Sequence, residues 1–291
     1  MQGVVFLGDR KVALQTFAEP TPGPGEVVLE IKASGMCGSD LKFYRSLPGE
    51  AMREMGLGDA DAVIAGHEPC GVVVAVGAGV NPKRAWVGQR AAVHHYRGCG
   101  ACPHCSTGWM QLCVEGVAEV YGVTGHGAHA PYMKCPAATL VTLRDELSFP
   151  AGAAIACGTG TAWGALQRLG LSGDQTIAVF GQGPVGLSAT LIGSSLGARV
   201  IALDVSDERL ARAREFGAAD SINPMATDPV AAIRALTHGL GAHAALDASS
   251  SPEARRQTVQ CVRTWGKACY VGEGGEVTLD VSRDLLRARS R

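Results

Sequence analysis

Between Thr176 and Asp204 the chain reads TIAVFGQGPVGLSATLIGSSLGARVIALD. A short apolar run leads into three glycines in G-x-G-x-x-G spacing, then an amphipathic stretch closed by glycine, then a second apolar run ending in an acid. Few folds admit this order, because it is strand, tight turn, helix and parallel strand in one unit. Gly181 permits the turn, Gly183 lets the backbone approach a pyrophosphate, and Gly186 lets the helix pack closely on the strand. Pro184 and Val185 fall in the first helical turn, whose N–H groups face the phosphates. Asp204 lies 23 positions after Gly181, where an acid accepts hydrogen bonds from the adenine ribose hydroxyls. Its charge repels a 2′-phosphate, so NAD is expected rather than NADP, although Arg209 and Arg212 on the next helix weaken that preference.

The alternation continues. SDERLARAREFG predicts a helix capped by Ser206 or Asp207, followed by a weak strand at Ser221–Ile222 and a helix from Asp228 to about His238. Strand AHAALDA, a helix near Pro252–Val262 and strand KACYVG complete five strands of a doubly wound parallel sheet. The first half reads differently. MQGVVFLGDRKVALQ predicts a hairpin, and EVVLEIKA and CGVVVAVG predict strands, with Gly and Pro clusters such as PTPGPGE between them. Residues 40–60 are more polar and predict a short helix or a loop. The fold class is therefore α/β with a β-rich N-terminal domain, divided as 1–158 and 159–291. A net charge of -1 gives no footprint for nucleic acid, and no apolar run reaches membrane-spanning length. The start shows no export signal, so a cytoplasmic location with reduced thiols is expected, and the 10 cysteines read as ligands or buried apolar residues.

Four of those cysteines crowd into CGACPHCSTGWMQLC, with the spacing Cys99-x2-Cys102-x2-Cys105-x7-Cys113. Four thiolates repel one another unless a cation holds them, and zinc accepts four sulfurs in a closed tetrahedron. An iron–sulfur cluster also takes four cysteines, and spacing alone admits it. CPHC by itself suggests thiol–disulfide exchange, but that chemistry needs the motif at a helix start in a thioredoxin-like fold, and no such strand precedes it. A structural zinc clamp is the favoured reading.

Cys37 in GMCGSD, His67 in AGHEPCG and Cys157 in IACGTGTAWGAL are each flanked by glycine, and singly each has an ordinary core reading. Glu68 after His67 does not make a zinc protease, because H-E-x-x-H needs histidine where Gly71 stands. As a set, GMCGSD, GHEPCGVVVAVG, the four-cysteine segment, CGTGTAWGAL, GQGPVG and Asp204 resemble, in order, the zinc-containing medium-chain dehydrogenase/reductase family of alcohol dehydrogenase-like enzymes. The resemblance implies a GroES-like catalytic domain followed by a Rossmann domain, with a catalytic zinc in the cleft. It implies that Cys37, His67 and Cys157 bind that zinc, a ligand set the general chemistry of zinc sites already illustrates with alcohol dehydrogenase, and that a second zinc sits on the four cysteines. It assigns Ser39 to the hydroxyl that accepts the alcohol proton, Asp40 to the carboxylate that orients the ligand histidine, and Glu68 to a residue beside the metal. The implied reaction moves hydride between a small alcohol or polyol, or the carbonyl compound in reverse, and NAD. Many relatives are homo-oligomers.

The chain departs from the family pattern. Lys42 stands where many relatives have the histidine that ends a proton relay. By the same resemblance, His95 and His129 stand where relatives commonly line the substrate pocket, often with aromatics, so a hydroxylated substrate such as a polyol or hydroxy acid is expected. Family Rossmann domains have six strands. The reading here stops at the fifth, with the charged DLLRARSR at the end, which predicts a C-terminally truncated member with an exposed edge strand. Such a member would tend to associate and would be a poor enzyme, a zinc- and nucleotide-binding fragment in the limit.

Overall fold

A computed structural model describes residues 1–54, 62–116 and 119–286. The chain separates into two compact units, Met1–Cys157 and Gly158–Arg291. The first opens with the hairpin of β1 (Gln2–Gly8) and β2 (Lys11–Thr16), turned at Asp9 and Arg10, both with positive φ. Its body is a five-stranded antiparallel sheet built from β3 (Glu26–Gly35), β4 (Glu68–Val76), β5 (Arg90–Val93), β8 (Tyr132–Pro136) and β9 (Leu140–Thr142). The strand order is β8-β3-β4-β5-β9. A two-stranded ribbon of β6 (Tyr96–Arg97) and β7 (Glu119–Val120) stands apart from it. Val27 and Leu29 of β3, Val73 of β4 and Met133 of β8 are buried in one core, as alternation on a half-covered sheet requires. Between β3 and β4 lie α1 (Gly38–Arg45) and α2 (Glu50–Glu54); the remainder of the polar 40–60 stretch, residues 55–60, lies outside the described residues. A one-turn helix α3 (Pro103–Ser106) belongs to the four-cysteine segment, and α4 (Phe149–Ala154) ends the unit.

The second unit begins with α5 (Gly160–Leu169) and then alternates: β10 (Thr176–Phe180), α6 (Pro184–Ser195), β11 (Arg199–Leu203), α7 (Asp207–Glu215), β12 (Asp220–Ile222), α8 (Pro229–Leu236), β13 (Ala242–Asp247), α9 (Pro252–Gln260) and β14 (Val262–Tyr270). All pairings are parallel, in the order β12-β11-β10-β13-β14. That is the 3-2-1-4-5 arrangement of a doubly wound dinucleotide-binding sheet, with its switch point between β10 and β13. Burial on both faces explains the continuous apolar runs. Ile177, Val179 and Leu246 pack with α5 residues on one side, and Ala178, Phe180 and Ala245 with Ile233 of α8 on the other.

The expected last strand, KACYVG, begins earlier than its apolar run. Val262 already pairs with Ala242, and the ladder resumes only at Ala244 and Lys267. The intervening residues bulge outward through Trp265, which has a φ of 61°. Among the described residues β14 is the sheet's edge. A single wide helical turn follows at Val281–Leu286; the rest of the charged terminal stretch, residues 287–291, lies outside the described residues. No helix among the described residues is long and apolar enough to cross a membrane.

Candidate active site

The chain leaves β3 at Gly35 and turns into α1 two residues later, with Cys37 as the cap of the helix. The Cys37 sulfur accepts from the Ser39 backbone N–H at 3.3 Å, and the Cys37 N–H donates to Asp40 Oδ2 at 2.8 Å. This reciprocal cap fixes the thiol at the start of the helix. The other oxygen of Asp40, Oδ1, lies 3.2 Å from His67 Nδ1, so one buried carboxylate holds both the cap and the ring. The ring's far nitrogen, Nε2, therefore points at the Cys37 sulfur, 3.0 Å away. Glu68 opens β4 directly opposite Gly35 of β3. A side chain at 35 would overlap the Glu68 carboxylate, so glycine is what lets that carboxylate lie over the strand. Cys157 arrives on a π-helical turn, Ile155–Thr159, inserted between α4 and α5. Such wide turns push one residue out of the helical stack. The ligand atoms of Cys37, His67, Glu68 and Cys157 all lie within 4.8 Å of one another.

Without a metal, the two thiols, the imidazole and the carboxylates of the cluster set one another's protonation. A hydrogen bond from the Cys157 thiol, and next the His67 ring against the opposing effect of burial, pull the Cys37 thiol down to about 4. Burial opposes a charged His67, but hydrogen bonds to Asp40 and Cys37 outweigh it and lift the ring to about 10. The Cys157 thiol is pushed up, by its hydrogen bond to Cys37 and by burial. Burial and the Cys37 charge raise Glu68 to about 7. Two sulfurs, an imidazole with its second nitrogen fixed by a carboxylate, and a fourth oxygen form a donor set suited to zinc.

The four cysteines of the second cluster also converge. Cys99 and Cys105 sulfurs are 4.0 Å apart, as are those of Cys102 and Cys113. Sulfurs placed about 2.3 Å from a central ion in a tetrahedron stand about 3.8 Å from one another. Backbone N–H groups of Cys99, Ala101, Cys102 and Cys105 point at cluster sulfurs at 3.3–3.5 Å. All ten cysteines are free thiols, and the CPHC pair does not stand alone but shares its surroundings with Cys99 and Cys113.

At the switch point of the parallel sheet, Gly181 leaves β10 with φ 87°. A Cβ on Gly186 would strike the Gly181 carbonyl, whereas one on Gly183 would meet nothing within 4 Å. The first helical turn of α6 thus touches the strand at one glycine and stays open at the other. Pro184 and Val185 follow Gly183, the cap residue, as the first two residues of α6. The Asp204 carboxylate accepts from the Gln182 N–H at 2.7 Å and the Ser206 N–H at 2.9 Å, with Arg209 Nη1 3.7 Å away.

His95 is buried with its ring centroid 5.2 Å from that of His67, and its Nδ1 lies 3.2 Å from the Ala156 carbonyl. Burial, and then the His67 charge, push His95 down to about 3, so the neutral ring donates from Nδ1 and leaves Nε2 as an acceptor. His129 Nδ1 is 2.9 Å from Ser34 Oγ, and its buried Nε2 has no hydrogen-bond partner among the described residues. Burial lowers its pKa as well. Lys42 sits one helical turn along α1 and pairs with Glu54 of α2 at 3.0 Å. Ser39 is partly buried in the first turn of α1. Sequence reasoning did not identify Ser34, Gly35 or the π-turn, since none departs from common composition.

Residues 23–145 match the family model described as the alcohol dehydrogenase GroES-like domain, and residues 184–290 match the one described as zinc-binding dehydrogenase. Over 290 residues the chain is 38% identical to the uncharacterized zinc-type alcohol dehydrogenase-like protein YphC of Escherichia coli K12, covering 98% of this chain and 80% of that one. It is 30% identical to the L-threonine 3-dehydrogenase of Symbiobacterium thermophilum, covering 94% and 75%. Among solved structures, that of RspB from Escherichia coli CFT073, described as a short chain alcohol dehydrogenase complexed with the cofactor NADH, superposes with a TM-score of 0.84 at 27% identity, covering 99% of this chain and 81% of that one. The antiparallel sheet unit is thus a GroES-like domain and the parallel sheet a Rossmann-type one, and the chain belongs to the zinc-containing medium-chain dehydrogenase/reductase family as an oxidoreductase of the alcohol dehydrogenase type.

Proposed function

We propose that this chain transfers hydride between a hydroxylated small molecule, a polyol or hydroxy acid, and NAD, using a zinc ion held by Cys37, His67 and Cys157. The observation that carries the reading is the convergence of those three donors with Glu68, around a histidine already oriented by Asp40. Held by Cys37, His67 and Cys157, a zinc ion would supply Lewis acidity toward an alcohol oxygen, and a bound NAD would supply the hydride acceptor. Asp40 holds the His67 ring through Nδ1 and so presents Nε2 to the site. Ser39 accepts the alcohol proton at its hydroxyl oxygen and gives up its own hydroxyl proton to water. Glu68 keeps a carboxylate beside the donor set. Lys42, paired with Glu54, stands where the family's relay ends and keeps its ammonium at that end of α1. His95 and His129 line the substrate pocket, and the unpartnered Nε2 of His129 is a donor or acceptor for a second substrate hydroxyl.

The Gly181–Gly186 turn cradles the pyrophosphate, with Pro184 and Val185 opening the helix, and the Asp204 carboxylate faces the adenine ribose, which favours NAD over NADP, while Arg209, 3.7 Å from it, partly offsets that preference. Cys99, Cys102, Cys105 and Cys113 hold a second, structural zinc, giving two ions per chain. Ten free thiols fit a cytoplasmic location. The test is NAD-dependent oxidation of polyols, hydroxy acids and simple aliphatic alcohols by the purified chain. A higher kcat/KM for the hydroxylated substrates is expected; a preference for simple aliphatic alcohols, or no NAD reduction with any of them, overturns the reading.

A further inference from the structure

The Rossmann unit buries an ion pair that the hydride chemistry does not use. Asp247 ends β13 with no exposure, and Arg255, the fourth residue of α9, is 7% exposed; Arg255 Nε lies 3.3 Å from Asp247 Oδ2. Buried ion pairs of this kind seldom add stability over apolar packing, so their geometry calls for another explanation. Here each partner ties down a loop. Asp247 Oδ1 accepts from both the Ser249 N–H, at 3.0 Å, and the Ser249 hydroxyl, at 2.6 Å, which folds the loop after β13 back on the strand. Arg255 Nη2 donates to the Gly272 carbonyl at 2.6 Å, which fixes the loop after β14. The arginine is held in turn by the Tyr270 hydroxyl, which donates to its backbone carbonyl at 3.0 Å.

Both loops lie at the carboxyl ends of strands in a doubly wound sheet, the end at which such sheets bind ligands. The loop after β13 also touches the glycine turn. A Cβ on Gly181 would come within 3.0 Å of Ser249, and the Ala248 N–H donates to the Phe180 carbonyl at 2.8 Å. Ser249 is therefore the wall against which the first glycine of the fingerprint is set.

We propose that Arg255 is a positioning residue for the dinucleotide: paired with Asp247 and bonded to Gly272, it clamps the two loops beyond β13 and β14 and so holds Ser249 against the Gly181 turn. The proposal rests on the dinucleotide reading of that turn. Arg255 does not touch the cofactor in this account; it acts through Ser249 and the Gly272 carbonyl.

The test measures NADH affinity by fluorescence titration of the full chain, together with zinc content and thermal midpoint, in four proteins: wild type, Arg255→Met, Arg255→Lys and the double variant Asp247→Asn/Arg255→Met. Removing the arginine alone leaves a buried carboxylate and should lower the midpoint as well as weaken NADH binding. The double variant removes both charges, so its midpoint should recover while NADH still binds about tenfold more weakly than to wild type. Arg255→Lys, which keeps the charge, should fall between the two in affinity. Zinc content should stay constant throughout, because every metal-cluster residue lies in the other unit. Wild-type affinity in the double variant, or affinity that merely follows the thermal midpoint across the set, overturns the clamp. No NADH binding by the wild-type chain overturns the dinucleotide reading, and the clamp with it.

Discussion

Gly35 and Glu68 face each other across β3 and β4, and the space for the carboxylate exists only because position 35 has no side chain. What a new methyl group would strike is the far end of a flexible chain, so folding should survive the change but the carboxylate should not keep its place. Gly35→Ala is expected to shift stability by no more than about 1 kcal/mol and to lower kcat about tenfold or more, with zinc content unchanged. Thermal melts beside steady-state rates check this. At His129 the unpartnered Nε2 is the feature of interest. His129→Phe should cost polyols about tenfold in kcat/KM relative to simple alcohols, because a pocket built to hydrogen-bond a hydroxyl loses that advantage when the partner goes; an unchanged ratio would remove His129 from the pocket. Neither pair is visible along the chain. Cys37 and His67 are 30 positions apart, and His129 and Ser34 are 95 apart, so only a resemblance to a family could bring the metal cluster together in advance. Ser34 and Gly35 carry no signal at all, being small residues in a strand where small residues are common.

At the scale of elements, the glycine turn separates two roles that the fingerprint lists side by side. Gly186 meets backbone, the Gly181 carbonyl, which cannot swing aside; Gly183 meets nothing. Gly186→Ala is expected to destabilise the Rossmann unit by about 2 kcal/mol or more and to weaken NADH binding with it. Gly183→Ala, whose φ of -76° suits alanine, should cost within about 1 kcal/mol of stability yet obstruct the pyrophosphate. Denaturant melts and NADH titration of the two variants should therefore diverge. The four-cysteine segment holds only a short helix and a single 3-10 turn, so its shape depends on the sulfurs. Cys102→Ser should release one zinc and lower the melting temperature while the Cys37 cluster keeps its own ion; retention of two ions at wild-type stability would remove the structural assignment. The alternating elements of the parallel sheet were legible here. Each strand and helix from β10 to α9 was expected close to where it lies, because burial on two faces leaves continuous apolar runs, even in strands of three to five residues, set between capped helices. The short antiparallel strands were not. β5, β8 and β9 span four, five and three residues in a sheet that relies on alternation, too few for alternation to show, and the bulge at Trp265 concealed the start of β14.

On the scale of the whole molecule, both proposed metal clusters lie within Met1–Cys157, and the glycine turn and Asp204 within Gly158–Arg291. Metal and nucleotide should therefore be separable ligands. Stripping zinc with a strong chelator is expected to abolish turnover and to lower the melting temperature of the first unit, while NADH still binds with an affinity within about threefold of the untreated protein. A chelated chain that no longer binds NADH would overturn that separation.

Cys157 is the last residue of the first unit, and it arrives on a π-turn 44 positions after Cys113. During synthesis, then, the proposed ion sites cannot fill together. Cys99 to Cys113 emerge from the ribosome as a complete set while the Cys37 cluster still lacks Cys157. Nascent chains stalled with Cys113 but not Cys157 exposed should carry a single zinc, and chains released later should carry two. On this assignment the ion proposed to shape the domain is acquired before the ion proposed to work in it.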